Sequence, residues 1–171
     1  MWELLQSAKR RKLLISIFIR LRKLSIIPYC VLCGLTASLG SLLITGSAIM
    51  FGVNLESQIS EYAADVDLTF NQVLGIGVVW PATETVILIT FLNILFKSRL
   101  TKHQCCIVSA FLWGLLHGLF VPIKFLTASW TFYIFSISYW LWKKHGCKKA
   151  FIAATLPHII LNSTSLILIL L

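Results

Sequence analysis

Four polar residues within long apolar stretches carry side chains suited to acid–base chemistry: Glu84, His117, His158 and Asn162. A carboxylate and an imidazole can activate a water molecule for attack on a peptide carbonyl, and imidazole and amide donors can stabilise the resulting oxyanion. His158 and Asn162 are four residues apart, which places both on one face of a helix. Glu84 is the only carboxylate in an apolar stretch, where an ionisable group is costly and indicates a function. We interpret the four residues as one catalytic site.

The four residues are predicted to meet at one depth in a membrane. Glu84, His117 and Asn162 each lie thirteen residues from a polar residue at the edge of a charged connector. These polar residues are Lys97, Gln104 and Lys149, respectively. At a rise of about 1.5 Å per residue, each of the three side chains lies roughly 20 Å from that connector, and His158 lies one turn closer to it.

The composition is that of a membrane protein. Of the 171 residues, 58% are hydrophobic and 12% are charged, and the mean hydropathy is +0.87. A soluble domain of this length needs a polar surface, which so few charged residues, bunched into short stretches, do not provide. The net charge of +9 does not indicate a nucleic-acid partner, because segregation of the charges along the chain explains it better. We expect the bilayer, and no nucleic acid, to surround this chain.

The apolar runs predict an all-α, polytopic transmembrane bundle of about five spanning helices. They cover approximately residues 26–53, 68–96, 105–142 and 150–171. The run 105–142 is too long for one crossing, and the Val-Pro-Ile-Lys stretch 121–124 is a turn that divides it into two helices. Residues 1–24 are expected to form a basic segment along the membrane surface, followed by one transmembrane domain, 25–171, with its catalytic core at about 68–165.

The charged residues predict the orientation of the bundle. Seven of the 15 basic residues precede the first apolar run, three lie near connector 97–104 and four in connector 143–149, so that only Lys124 lies elsewhere. Four acidic residues cluster instead in connector 54–67. Because basic residues are retained on the cytoplasmic side, we expect an integral protein of a prokaryotic cytoplasmic membrane with its N-terminus in the cytoplasm.

Three stretches of the chain form an ordered set of motifs. They are Pro81-Ala-Thr-Glu84-Thr85, Trp113-Gly-Leu-Leu-His117 and His158-Ile-Ile-Leu-Asn162. In this order they resemble the motifs of the CAAX-protease and bacteriocin-processing superfamily of glutamic intramembrane proteases, which are a Glu-Glu pair followed by Arg, an aromatic-xxx-His and a His-xxx-Asn. The resemblance covers about residues 78–165. This chain has Thr85 in place of the second Glu, Ile89 in place of the Arg and Trp113 in place of the usual Phe.

The resemblance implies a membrane-embedded endopeptidase that acts, without a cofactor, on a membrane-anchored peptide or protein. Glu84 and His117 would activate water, and His158 and Asn162 would stabilise the oxyanion. Trp113 would either wall the site or pack as an ordinary core residue. Three other functions remain open: a zinc peptidase using the carboxylate and two imidazoles, a non-catalytic immunity or binding protein, and a proton-linked carrier. A further alternative is that the polar residues serve only to hydrogen-bond the helices together.

Overall fold

The computed structural model describes residues 24–54, 69–119 and 121–170. These residues form five helices and no strand, which confirms the predicted all-α bundle. The helices are α1 (Ile26–Met50), α2 (Phe70–Lys97), α3 (Lys102–Gly118), α4 (Lys124–Lys143) and α5 (Cys147–Leu170). The predicted surface segment, except for Leu24, and residues 55–67 of the acidic connector lie outside the described residues.

Three of the helices are long and apolar enough to cross a membrane: α1, α2 and residues Cys147–Leu168 of α5. Large apolar side chains cover their outer faces, as Leu35, Leu39 and Leu43 do on α1. A helix satisfies its own backbone hydrogen bonds, so such surfaces are stable in a hydrocarbon solvent. The protein is therefore an integral membrane protein. The shorter α3 packs mainly against α4, and both belong to the same bundle.

The ends of the helices follow local sequence signals. Thr101 caps α3, since its side chain accepts a hydrogen bond from the backbone N–H of Gln104 while the Gln104 side chain accepts one from the backbone N–H of Thr101. Gly146, with φ of +105°, reverses the chain between α4 and α5. The break between α3 and α4 falls at the predicted Val-Pro-Ile-Lys turn, and α4 begins at Lys124. The division of the run 105–142 into two helices is thus confirmed.

Helix α5 lies at the centre of the bundle, where it packs against α1, α2 and α4. Small residues permit the close approaches. A Cβ atom on Gly34 of α1 would lie 2.7 Å from Ile160 of α5. A Cβ atom on Gly114 of α3 would overlap Ser129 of α4 and lie 2.7 Å from the backbone carbonyl oxygen of Phe125. The resulting contacts fix α5 and α3, which carry three of the four predicted site residues, around one interior space.

Candidate active site

All four predicted site residues line one cavity of about 460 Å³ inside the bundle. Glu84 comes from α2, His117 from α3, and His158 and Asn162 from α5. Every lining residue that belongs to a helix lies at least eleven residues from the end of that helix at the basic connectors, a distance of about 16 Å along the helix axis. The cavity therefore occupies the half of the bundle opposite those connectors, at the depth expected from the sequence.

Glu84 and His158 form the central contact of the site. Nε2 of His158 lies 3.5 Å from Oε2 of Glu84. The His158 side chain is 4% exposed, whereas that of Glu84 is 32% exposed and faces the cavity. With its proton on Nε2, the neutral His158 ring would direct a hydrogen-bond donor toward this carboxylate. The carboxylate thus lies beside a buried imidazole nitrogen, at a separation longer than an ordinary hydrogen bond, and remains open to a water molecule in the cavity.

His117 is held by its own helix. Its Nδ1 donates a hydrogen bond to the backbone carbonyl oxygen of Trp113, 2.9 Å away, one turn earlier in α3. The neutral ring then carries its lone pair on Nε2, which makes that atom a hydrogen-bond acceptor. His117 is consequently suited to accept a hydrogen bond from water.

Aromatic rings pack against both histidines. The Phe132 ring lies 5.4 Å from the His117 ring and 5.3 Å from the His158 ring, centroid to centroid. Phe135 stacks on His158 at 4.7 Å. Trp113 stacks on Phe132 at 4.4 Å, and its ring lies 5.7 Å from the His117 ring. It does not line the cavity, so it packs as a core residue beside the site. These contacts restrict the rotation of both imidazoles.

Asn162 is positioned by an irregularity in α2. Residues Gly75–Val79 form a π-helical turn, in which the N–H of Trp80 bonds to the carbonyl of Gly75. In this register the backbone N–H of the next residue would donate a hydrogen bond to the carbonyl oxygen of Ile76. The next residue is Pro81, which has no N–H. The amide nitrogen of Asn162 instead donates to that carbonyl at 3.0 Å. Pro81 therefore creates the acceptor that orients Asn162, and the second amide hydrogen of Asn162 remains for another acceptor.

Thr85 and Ile89, where the superfamily motifs that the chain resembles have Glu and Arg, do not contribute to the cavity. Thr85 is fully buried, and its hydroxyl donates to the carbonyl of Pro81 at 2.7 Å. Ile89 is partly buried and packs against the apolar core. Neither side chain lines the cavity. A second carboxylate and an arginine at these positions would face the core, so their replacement by threonine and isoleucine suits the packing of this bundle.

The cavity residues that were not predicted as site residues include Ser38 and Ser41 of α1, and Lys124 at the start of α4. The sequence held one signal for Lys124, which is the only basic residue outside the basic stretches. It held none for the two serines, because a serine in an apolar helix is usually a packing or back-bonding residue. The cavity thus includes a wall from α1, a helix that carries no part of the three motifs.

Within the described ranges, no three histidine, cysteine, aspartate or glutamate side chains converge as ligands for a metal ion. His103, at the start of α3, and His145, between α4 and α5, are exposed and lie outside the cavity. Comparison of the chain with protein families, with curated proteins and with solved structures found no match.

Proposed function

We propose that the protein is a membrane-embedded endopeptidase of the glutamic type, which cleaves a peptide bond of a membrane-anchored peptide or protein. One observation carries the proposal: Glu84 lies 3.5 Å from the buried His158 in a cavity that His117 and Asn162 also line. A carboxylate placed in an apolar bundle for packing alone is costly, whereas a general base requires this setting. The ordered motifs also support membership, as a short form, in the CAAX-protease and bacteriocin-processing superfamily.

The reaction begins with a water molecule held between Glu84 and His117. The carboxylate of Glu84 accepts one proton of the water, and Nε2 of His117 accepts a hydrogen bond from the other. The water oxygen attacks the peptide carbonyl carbon, and the carbonyl π electrons move to its oxygen. Glu84, now neutral, no longer holds the Nε2–H of His158, which becomes available to the oxyanion.

The oxyanion receives hydrogen bonds from Nε2–H of His158 and from the second amide hydrogen of Asn162. A preorganised donor of this kind typically stabilises the transition state by about 3 kcal/mol. Collapse of the intermediate breaks the C–N bond, and Glu84 returns its proton to the leaving amine. This sequence of steps requires no covalent intermediate, so the cavity needs no serine or cysteine beside a base.

The charge distribution supports an orientation for this reaction. With the basic connectors in the cytoplasm, the N-terminus is cytoplasmic and the cavity lies in the outer half of the bilayer. A substrate anchored in a prokaryotic cytoplasmic membrane would then reach Glu84 from the extracytoplasmic half of the bundle. This direction of access is inferred from the depth of the cavity, since its helical lining residues lie at least eleven residues from the connector ends of their helices.

The test is cleavage of a panel of membrane-anchored reporter peptides co-expressed with the wild type, Glu84→Gln and His117→Ala. Thr83→Val is the matched control, because Thr83 neighbours Glu84 on α2 but is exposed and outside the cavity. All variants must be equally abundant in the membrane. We expect cleavage by the wild type and the control only. Cleavage by Glu84→Gln would contradict the mechanism, and no cleavage of any reporter by the wild type would favour the binding or carrier function.

A further inference from the structure

The α3–α4 hairpin is the shortest part of the bundle. Helices α3 and α4 contain 17 and 20 residues, whereas α1 and α2 contain 25 and 28. At a rise of about 1.5 Å per residue, α4 is roughly 8 Å shorter than α1, and α3 is roughly 12 Å shorter. The hairpin therefore cannot reach both ends of the bundle.

Contacts between α1 and α4 place this difference at the end away from the basic connectors. The ring of Tyr29, near the start of α1, lies 5.5 Å from the ring of Trp142, near the end of α4. Further along both helices, the Trp130 side chain of α4 lies against Gly40 of α1. These two contacts are eleven residues apart on α1 and twelve on α4, so the helices run side by side with their connector ends level.

The far end of the hairpin consequently stops short of the far end of α1. A Cβ atom on Gly118 would lie 2.8 Å from Cβ of Phe125, so the end of α3 is level with the start of α4. Phe125 is five residues beyond the contact of Trp130 with Gly40, and on α1 the same interval leads to Thr45. Helix α1 continues for five more residues, about 8 Å, past this level.

The tip of the hairpin, residues 118–119 and 121–123, has a backbone that requires water. The carbonyls of Gly118 and Leu119 accept no hydrogen bond within the described residues, and Pro122 has no N–H with which to continue the helix. Irregular backbone of this kind is not stable where it faces lipid chains. Helix α1, in contrast, exposes apolar side chains up to its last turn, at Ile49 and Met50. The tip thus fits the headgroup layer, and the last turn of α1 fits the hydrocarbon.

We propose that the tip is a notch in the rim of the bundle, where the phospholipid headgroups of the adjacent leaflet and their water descend by about 8 Å to the cavity. The partner of this surface is the headgroup layer, because a bilayer relieves a short hydrophobic side of a protein by thinning locally. Val121 and Ile123 of the tip and Thr127 of α4 line the cavity, so water enters the cavity from this side. The inference does not rest on the proposed peptidase function.

The test is the rate at which a charged, membrane-impermeant methanethiosulfonate reagent modifies single introduced cysteines in the full chain. Leu119→Cys on the tip is compared with Leu43→Cys on α1. Both leucines are exposed, by 77% and 71%, and each lies seventeen residues beyond the first residue of its helix. Ser47→Cys, also exposed on α1, is two residues beyond the level of the tip at Thr45, so the two α1 positions bracket that level.

All samples are reconstituted in nanodiscs of dioleoyl lipids, which expose both membrane faces and make the result independent of orientation. The exposed Cys147 is replaced by serine throughout, and this parent chain is the blank. Phe51→Cys, just past the end of α1, is the positive control. A nitroxide attached to each cysteine gives a second measurement, because collisions with a nickel chelate report water and collisions with oxygen report lipid.

We expect Leu119→Cys to react about as fast as the positive control and at least about tenfold faster than Leu43→Cys and Ser47→Cys, because a charged reagent is excluded from hydrocarbon. The nitroxide should report water at position 119 and lipid at positions 43 and 47. A difference of less than about tenfold between Leu119→Cys and either α1 variant would show one membrane level around the bundle and overturn the notch. Peptide cleavage, or its absence, leaves this result unchanged.

Discussion

The irregular turn in α2 and the side chain of Asn162 should be energetically coupled. Asn162 donates to the carbonyl of Ile76, which is available because Pro81 lacks the N–H that the π-helical register requires. Asn162→Leu keeps the shape of the side chain but removes the donor. Pro81→Ala supplies a backbone N–H that can bond to Ile76 instead. The effect of removing the amide should therefore depend on which residue occupies position 81.

The size of the coupling follows from the single hydrogen bond that the two residues share. An unpaired buried carbonyl costs about 1–3 kcal/mol, while hydrogen bonds between membrane helices average about 0.6 kcal/mol. We expect Asn162→Leu to lower the free energy of unfolding by about 1–2 kcal/mol when Pro81 is present. With Ala at position 81 the cost should fall below about 0.5 kcal/mol, because the new N–H takes the acceptor.

A double-mutant cycle over the wild type, the two single variants and the double variant measures this coupling. Each free energy of unfolding comes from reversible titration with a denaturing detergent in mixed micelles, followed by circular dichroism. Packing changes common to both backgrounds cancel in the cycle. A coupling of about 1 kcal/mol is expected; costs that add to within about 0.3 kcal/mol would refute the assignment of Asn162 to the carbonyl of Ile76.

Three further predictions concern packing, the aromatic support and metals. Gly114→Ala should destabilise the protein by about 1–3 kcal/mol, because the new Cβ atom overlaps Ser129. The control Gly46→Ala should be neutral or stabilising, because a Cβ atom there has nothing within 4 Å. Thermal unfolding of the two variants measures the difference. Phe132→Leu should lower kcat for a cleaved reporter about tenfold with little change in KM, because both imidazoles lose the ring that fixes them; an unchanged kcat would contradict this role. A chelator such as 1,10-phenanthroline should leave cleavage unchanged, and a loss that added zinc restores would support the zinc peptidase instead.

The fold could be predicted largely from the segregation of charged and apolar residues. Charged connectors mark the ends of α2, α4 and α5, and the Val-Pro-Ile-Lys stretch separates α3 from α4. These features act locally, so they are readable without tertiary information. The π-helical turn at Gly75–Val79 was not predicted, and its carbonyl at Ile76 is paired with Asn162, a residue 86 positions away that local sequence does not reveal.

The site could be predicted only in part. The depths of Glu84 and His117 follow from the regular rise of a helix, and the structure places both on one cavity. The direct partner of Glu84, His158, could not be chosen from the sequence, because helix rotation decides which imidazole faces the carboxylate. Ser38 was missed as a cavity residue because a serine in an apolar helix is usually a packing or back-bonding residue, and its position on the cavity depends on helix rotation.

The central claim is that Glu84 is the general base of a peptidase, and kinetics with the purified chain in liposomes test it most directly. The value of kcat/KM for a cleaved reporter is compared among the wild type, Glu84→Gln and the control Thr83→Val. A general base typically contributes a factor of about 10²–10⁴, so we expect Glu84→Gln to lose at least about 100-fold and the control to match the wild type. If Glu84→Gln retains activity within about tenfold of the wild type, Glu84 is not the base and the proposed mechanism is wrong.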